Sequence, residues 1–113
     1  MVNDPKSARS GAYTPGSLTT LYTNASSTLH TAMKQLEVYN ANVGALAVEI
    51  YITTGADVAV RTLFNSTIPA GMTIINDGLY WIDPLYKLRY KITGGSSGDV
   101  QLEATLMENV TTG

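Results

Sequence analysis

The chain of 113 residues has no cysteine and only one histidine, His30. Without cysteine it can form neither a disulfide bond nor a thiolate metal site, and a zinc ion would have only carboxylates to add to one imidazole. The glycine-rich segment at residues 94–98 lacks the lysine and the following helix of a phosphate-binding loop. We therefore predict no metal site and no cofactor.

Charged residues are also scarce, at 14% against the ~25% typical of soluble domains. Seven basic and nine acidic side chains give a net charge of −2, which disfavours nucleic acid and anionic membranes as partners. No apolar run approaches the ~20 residues of a membrane span, and the polar segment at residues 1–10 is unlike a secretory signal. We expect an intracellular protein, or one that is located by a larger assembly.

What the sequence does contain is period-two alternation of apolar and polar residues over most of its length. Hydrophobic residues make up 44% of the chain, enough for one core. The clearest alternating segments are "ALAVEIYI" at 45–52, "DVAVRTLF" at 57–64, "LYKLRYKI" at 85–92 and "DVQLEATLM" at 99–107. Turn residues separate them about every ten residues. This pattern predicts an all-β fold, an antiparallel β-sandwich or jelly roll of seven to eight strands.

Two regions depart from simple alternation. Residues 1–16 have no periodicity and contain two prolines, which predicts an extended N-terminal arm, with Tyr13 as an anchoring contact, before a single sandwich domain at residues 17–113. Residues 28–39 space Leu29, Met33, Leu36 and Tyr39 approximately as a helix would, although the surrounding strands favour another strand.

A basic stripe formed by Lys87, Arg89 and Lys91 raises the question of a nucleic-acid site. The segments at residues 85–92 and 99–107 are joined by a Gly/Ser loop and are predicted to form a hairpin, which would place Glu103 opposite the stripe. The stripe is then a neutralised outer face, with Arg89 left as a candidate contact for a protein partner.

The aromatic pair Tyr80 and Trp81 offers two interpretations. It could form a surface that binds a carbohydrate or a protein partner, or Trp81 could fill the core, which we favour. Because neighbouring strand residues point to opposite faces, one of the two should be accessible. His30 lies among serines and threonines, which is too common a setting to indicate a catalytic triad. No catalytic residues are predicted.

The order of features resembles a known group of proteins. "LYT" at 21–23 opens an early strand, "VEIYI" at 48–52 and "TIPAGMTI" at 67–74 follow, and "GDVQLEATLME" at 98–108 closes the pattern. This order is similar to that of small β-sandwich structural proteins of tailed bacteriophages, which supply capsid decoration (cement) proteins and head–tail accessory subunits. The chain departs from the group at residues 24–27, where a Pro-Ala-Gly turn is usual, and at Asp83-Pro84, where Gly-Asp is usual.

The resemblance implies a non-enzymatic virion component that is assembled in the host bacterial cytoplasm. For a capsid decoration protein it further implies a homotrimer, with the major capsid protein or other virion subunits as partners. A neck or tail adaptor or a fibre-attachment subunit is the alternative within the virion, and a carbohydrate-binding sandwich is the alternative from another class. The candidate partner-binding residues are Tyr13, Tyr80, Trp81 and Arg89.

Overall fold

The computed structural model describes residues 4–96 and 98–110 and confirms an all-β antiparallel sandwich. Within these residues there are nine strands: β1 (Asp4–Arg9), β2 (Thr19–Thr23), β3 (His30–Asn40), β4 (Leu46–Thr53), β5 (Ala59–Ile68), β6 (Thr73–Asn76), β7 (Tyr80–Ile82), β8 (Lys87–Thr93) and β9 (Val100–Val110). No helix in the described residues is long and apolar enough to cross a membrane.

The strands form two sheets. Sheet A has the order β1-β9-β3, and the far edge of β3 pairs with β6 along one half and with β7 along the other. Sheet B has the order β2-β8-β4-β5. Each central strand has a neighbouring strand on both sides. Because the two sheets pack face to face, each central strand also buries one of its faces.

The buried faces follow the alternation in the sequence. In β8, in β4 up to Ile52 and in β9 up to Leu106, every second residue is buried while its neighbours are more exposed, as expected for strands with one face toward a core. Large side chains that are completely or almost completely buried include Met33, Leu36, Ile50, Leu88, Tyr90, Ile92, Leu102 and Leu106. These residues come from both sheets and form a single core.

The predicted hairpin of residues 85–92 and 99–107 is wrong, because β8 and β9 lie in different sheets. Strand β8 pairs with β2 and β4, and β9 pairs with β1 and β3. The chain therefore passes from sheet B to sheet A between them. Gly95 serves this crossing: its φ is +71°, and an added Cβ would lie 2.9 Å from both Leu46 Cδ1 and the Tyr13 hydroxyl oxygen.

Strand β3 explains the helix-like spacing in the sequence. Its pairing with β9 shifts register between His30 and Ala32 and again between Met33 and Gln35. Each β-bulge inserts a residue and changes which parity faces the core. Met33 and Leu36 are therefore both buried although they are three residues apart. The strand interpretation of this segment is confirmed.

Part of the segment predicted to be an extended arm forms an edge strand of sheet A. Residues 4–9 form β1, which pairs with β9 from Asp4 opposite Glu108 to Arg9 opposite Glu103. Most of β1 is exposed, so an apolar alternation is not needed there. Tyr13 follows it and is only 5% exposed, in contact with the core. Residues 1–3 of the predicted arm lie outside the described residues.

Polar groups also tie the two sheets together. The buried Tyr22 hydroxyl of β2 lies 2.8 Å from Thr31 Oγ1 and donates to Glu108 Oε2 at 2.5 Å. Burial, followed by the bond to this carboxylate, raises the pKa of Tyr22 to about 12. The phenol therefore stays neutral, and remains a hydrogen-bond donor to sheet A, even at a pH near 10 where a free tyrosine would ionise.

Two buried asparagines satisfy backbone groups at chain reversals. The side-chain nitrogen of Asn24 lies 3.0–3.1 Å from the carbonyl oxygens of Leu29, Ile82 and Asp83. That of Asn40 donates to the carbonyls of Gly44 and Ile68. Each side chain thus joins segments that are distant in sequence.

Replacing Asn24 with alanine is expected to lower the free energy of unfolding by about 1–3 kcal/mol, because it leaves buried carbonyl oxygens without donors. Urea denaturation measures this change. Asn65→Ala at an exposed position of β5 is the control and should stay within about 0.5 kcal/mol of wild type. Equal stability of the two variants would contradict the role of Asn24.

Candidate interaction surfaces

The basic stripe is neutralised by acids other than the one predicted. Asp57 Oδ1 lies 2.8 Å from Arg89 Nη1 and 3.2 Å from Lys87 Nζ, and Glu49 lies 3.9 Å from Lys91 Nζ. Glu103 belongs to the other sheet, where it binds Arg9 Nε at 2.7 Å. The stripe is therefore a paired outer face of sheet B, as expected, but the pairing comes from the β4–β5 hairpin.

Arg89 is held from two sides. Its Nη1 pairs with Asp57, and its Nη2 donates to the carbonyl oxygen of Leu18 at 3.2 Å. Its Nε is buried and has no hydrogen-bond partner among the described residues. The side chain is only 15% exposed, so most of this candidate contact residue is engaged within the fold.

The second predicted contact residue, Tyr13, is also turned inward. Its hydroxyl lies 3.4 Å from the carbonyl oxygen of Gly94, and burial is the main cause that raises its pKa above the ordinary value of 10.0. Tyr13 thus packs the segment after β1 against the loop after β8. The structure does not bring Tyr13 or Arg89 together with Tyr80 and Trp81 in one cleft.

Trp81 is on the surface, and the expectation that it fills the core is wrong. Its neighbours Tyr80 and Ile82 share the face of β7 that packs on the core, which leaves Trp81 on the opposite face and 43% exposed. The indole contacts His30 edge to face, with ring centroids 6.5 Å apart. The prediction that one aromatic of the pair is accessible is confirmed.

A cleft of about 260 Å³ opens beside this aromatic pair, between β7 and the start of β5. Tyr80, Trp81 and Tyr86 line it together with Arg61 and Asp83. The alternating pattern of the sequence did not indicate this cleft, since its residues come from β4 and β5 of sheet B, from β7 of sheet A and from the segments on either side of β7.

Strand β5 is the other unusual surface. It forms the outer edge of sheet B, and nine of its ten residues are exposed or half-exposed. Arg61 is its only charged residue. Register shifts in its pairing with β4 fall within residues 59–64, and residues 64–68 pair regularly. The strand thus has an irregular half beside the cleft and a regular half along the free edge.

The remaining sheet edges carry features that discourage pairing with other chains. Strand β1 contains Pro5, Lys6 and Arg9, and β2 has only five residues and an irregular register. Strands β6 and β7 have four and three residues. Among the described strands, β5 is the long edge with little charge.

No group of three or more His, Asp or Glu side chains in residues 4–96 and 98–110 is placed to hold a metal ion. A shallow groove of about 440 Å³ crosses the outer face of sheet A, lined in part by Arg9, Glu37, Tyr39 and Glu103. Glu37 and Glu103 are direct cross-strand neighbours there, and Arg9 pairs with Glu103. These contacts are those of a charged sheet surface.

A scan against protein-family models finds no match, and a search of curated proteins also finds none. Among solved structures, the chain is similar to one in infectious bursal disease virus strain Gx, with 16% identity, a TM-score of 0.45, and coverage of 96% of this chain and 32% of that chain. A chain of the T13 particle of the same virus gives 16% identity, a TM-score of 0.44, and coverage of 99% and 37%. A chain of strain Gt of the virus gives 18% identity, a TM-score of 0.41, and coverage of 96% of this chain and 31% of that chain. This chain therefore spans about a third of the length of the viral chains.

Asp57→Asn should remove a pH-dependent contribution to the stability of the fold. Hydrogen bonding to Lys87, and the charge of Arg89, hold the pKa of Asp57 below its ordinary value of 3.8. A carboxyl group with a lowered pKa stabilises the fold at pH values above its ordinary pKa. This contribution is lost as the pH falls through the folded-state pKa.

Thermal unfolding measured between pH 7 and pH 2 tests this expectation. The variant should have a slightly lower melting temperature at pH 7, this difference should shrink as the pH falls toward 2, and 1 M salt should shrink it at pH 7. A gap that is constant across this pH range would contradict the ion pairs as its cause.

Proposed function

We propose that this chain is a non-enzymatic structural subunit of a virion, and specifically a capsid decoration protein that attaches through protein–protein contacts. The observation that carries the proposal is the exposed edge of β5. An edge strand presents unpaired backbone N–H and C=O groups, and proteins that remain alone usually shorten, charge or cover such a strand. Strand β5 is ten residues long and contains one charge.

The regular half of β5 is the part suited to pairing with a neighbouring subunit. Asn65, Ser66 and Thr67 are exposed and uncharged, and they pair in register with Glu49, Val48 and Ala47 of β4. A neighbouring extended segment can add to this edge by main-chain hydrogen bonds, a recurring mode of recognition. The low overall charge reduces the cost of removing water from the contact.

The place that we propose in the assembly rests on the resemblance of the sequence to phage decoration and head–tail proteins. This resemblance supports the outer shell, with the major capsid protein as the partner, and the trimeric form usual for that group. Image reconstruction of virions with and without this chain tests the location. Difference density on the shell supports decoration, density at the neck or tail supports the adaptor role, and the absence of any difference would contradict a virion subunit.

Lysines on the edge should block attachment. The double variant Asn65→Lys/Thr67→Lys adds two charges beside the free backbone of β5, and we expect its occupancy on purified particles to fall about tenfold or more. Ser7→Lys/Gln101→Lys, at exposed positions on sheet A, is the matched control and should attach like wild type. Thermal unfolding checks that both variants are folded. Equal occupancy of the two variants would refute the edge as the contact.

A further inference from the structure

The cleft beside Trp81 is lined by aromatic and charged side chains that have no part in the proposed attachment through β5. It combines three aromatic side chains, Tyr80, Trp81 and Tyr86, with one cationic and one anionic residue, Arg61 and Asp83. Binding sites for small molecules typically join apolar and aromatic walls to a few convergent polar groups. This cleft has the same combination on a small scale.

Both charged groups are held in place by neighbouring rings. The guanidinium carbon of Arg61 lies 5.6 Å from the centroid of the Tyr80 ring, a cation–π contact. Among the described residues Arg61 forms no ion pair, whereas Lys87, Arg89 and Lys91 each do. Arg61 therefore keeps guanidinium donors for a ligand while it packs on the Tyr80 ring.

Asp83 is positioned from the other side. His30 Nε2 lies 3.4 Å from Asp83 Oδ1, and the same imidazole contacts the indole of Trp81 edge to face. The Asp83 side chain is still 51% exposed, so its carboxylate can accept further hydrogen bonds. One histidine thus orients both an aromatic wall and the acid of the cleft.

The charges select the class of ligand. A cation would meet the guanidinium of Arg61, which already occupies the ring of Tyr80, and an anion would meet the carboxylate of Asp83. A neutral molecule with several hydroxyl groups fits both, because its oxygens accept from Arg61 and its hydroxyl hydrogens are donated to Asp83. Its C–H faces can pack against the aromatic side chains.

We propose that this cleft binds one ring of a neutral saccharide. The volume of about 260 Å³ lies just below the ~300–1,000 Å³ of pockets for drug-sized ligands, which suits a single sugar unit. A ligand of this size in an open cleft binds with a Kd in the millimolar range. The lining of the cleft includes none of residues 64–68 of β5. Saccharide binding and attachment to a particle can therefore be tested separately.

Trp81 is the only tryptophan of the chain, so its fluorescence reports on this cleft directly. The full chain is titrated with the methyl glycosides of glucose, galactose, mannose and N-acetylglucosamine, and with glucuronate as the anionic counterpart. We expect a saturable change with at least one neutral glycoside and weaker binding of glucuronate. No saturable change with any of the four, or tighter binding of glucuronate, would overturn the proposal.

Two variants keep the fluorescent probe and remove one polar group each. Arg61→Gln and Asp83→Asn are each expected to raise the Kd for the bound glycoside about tenfold, since hydrogen bonds to charged groups are lost. Val43→Ala, which truncates an exposed apolar side chain in the β3–β4 loop, is the control and should leave the Kd unchanged. An unchanged Kd in Arg61→Gln, a variant at an exposed position, would overturn the site even if Asp83→Asn unfolds.

Discussion

The packing of one apolar face of sheet A against one apolar face of sheet B is the constraint on which the other features depend. Each central strand must bury every second residue, and it can do so only if it lies inside a sheet whose inner face meets the other sheet. Strands β8 and β9 satisfy this requirement from opposite sides of the core, since Leu88 and Tyr90 belong to one sheet and Leu102 and Leu106 to the other. The chain must therefore cross between the sheets after β8, and it does so through a glycine-rich loop.

Two open sheets necessarily leave edges, and the treatment of these edges gives the molecule its surface character. Proline, charge, short length or irregular pairing protects β1, β2, β6 and β7. Strand β5 has length and little charge, and its irregular pairing is confined to residues 59–64. That irregular half turns Arg61 toward Tyr80, while the regular half keeps a free backbone edge. One strand thus lines a cleft at one end and carries the proposed strand-pairing surface at the other.

The sequence predicts strands and their inner faces well, because alternation records burial. It does not record which strand lies beside which, so β8 and β9 were expected to pair with each other although each is flanked by other strands. The acid predicted to face the basic stripe is wrong for the same reason, because Arg89 pairs with Asp57 and not with Glu103. Asn24 and Asn40 look like ordinary turn residues in the sequence, and only the fold reveals that they are buried and bond distant carbonyls.

The candidate surfaces were predicted less completely. An accessible aromatic at Tyr80-Trp81 follows from strand geometry, but the choice of Trp81 required knowing that Tyr80 and Ile82 face the core. Arg61 gave no signal in the sequence, because its importance comes from a contact between strands of different sheets. The long free edge of β5 was also hidden, since an edge strand and a central strand can have similar alternation.

Hydrogen exchange of this chain, free and mixed with the virion particles to which we propose it attaches, tests the central claim most directly. If β5 attaches by main-chain pairing, amides of residues 64–67 should exchange markedly more slowly on the particle, while amides of the exposed edge of β1 should change little. Equal exchange of residues 64–67 in the two states would contradict β5 as the attachment edge.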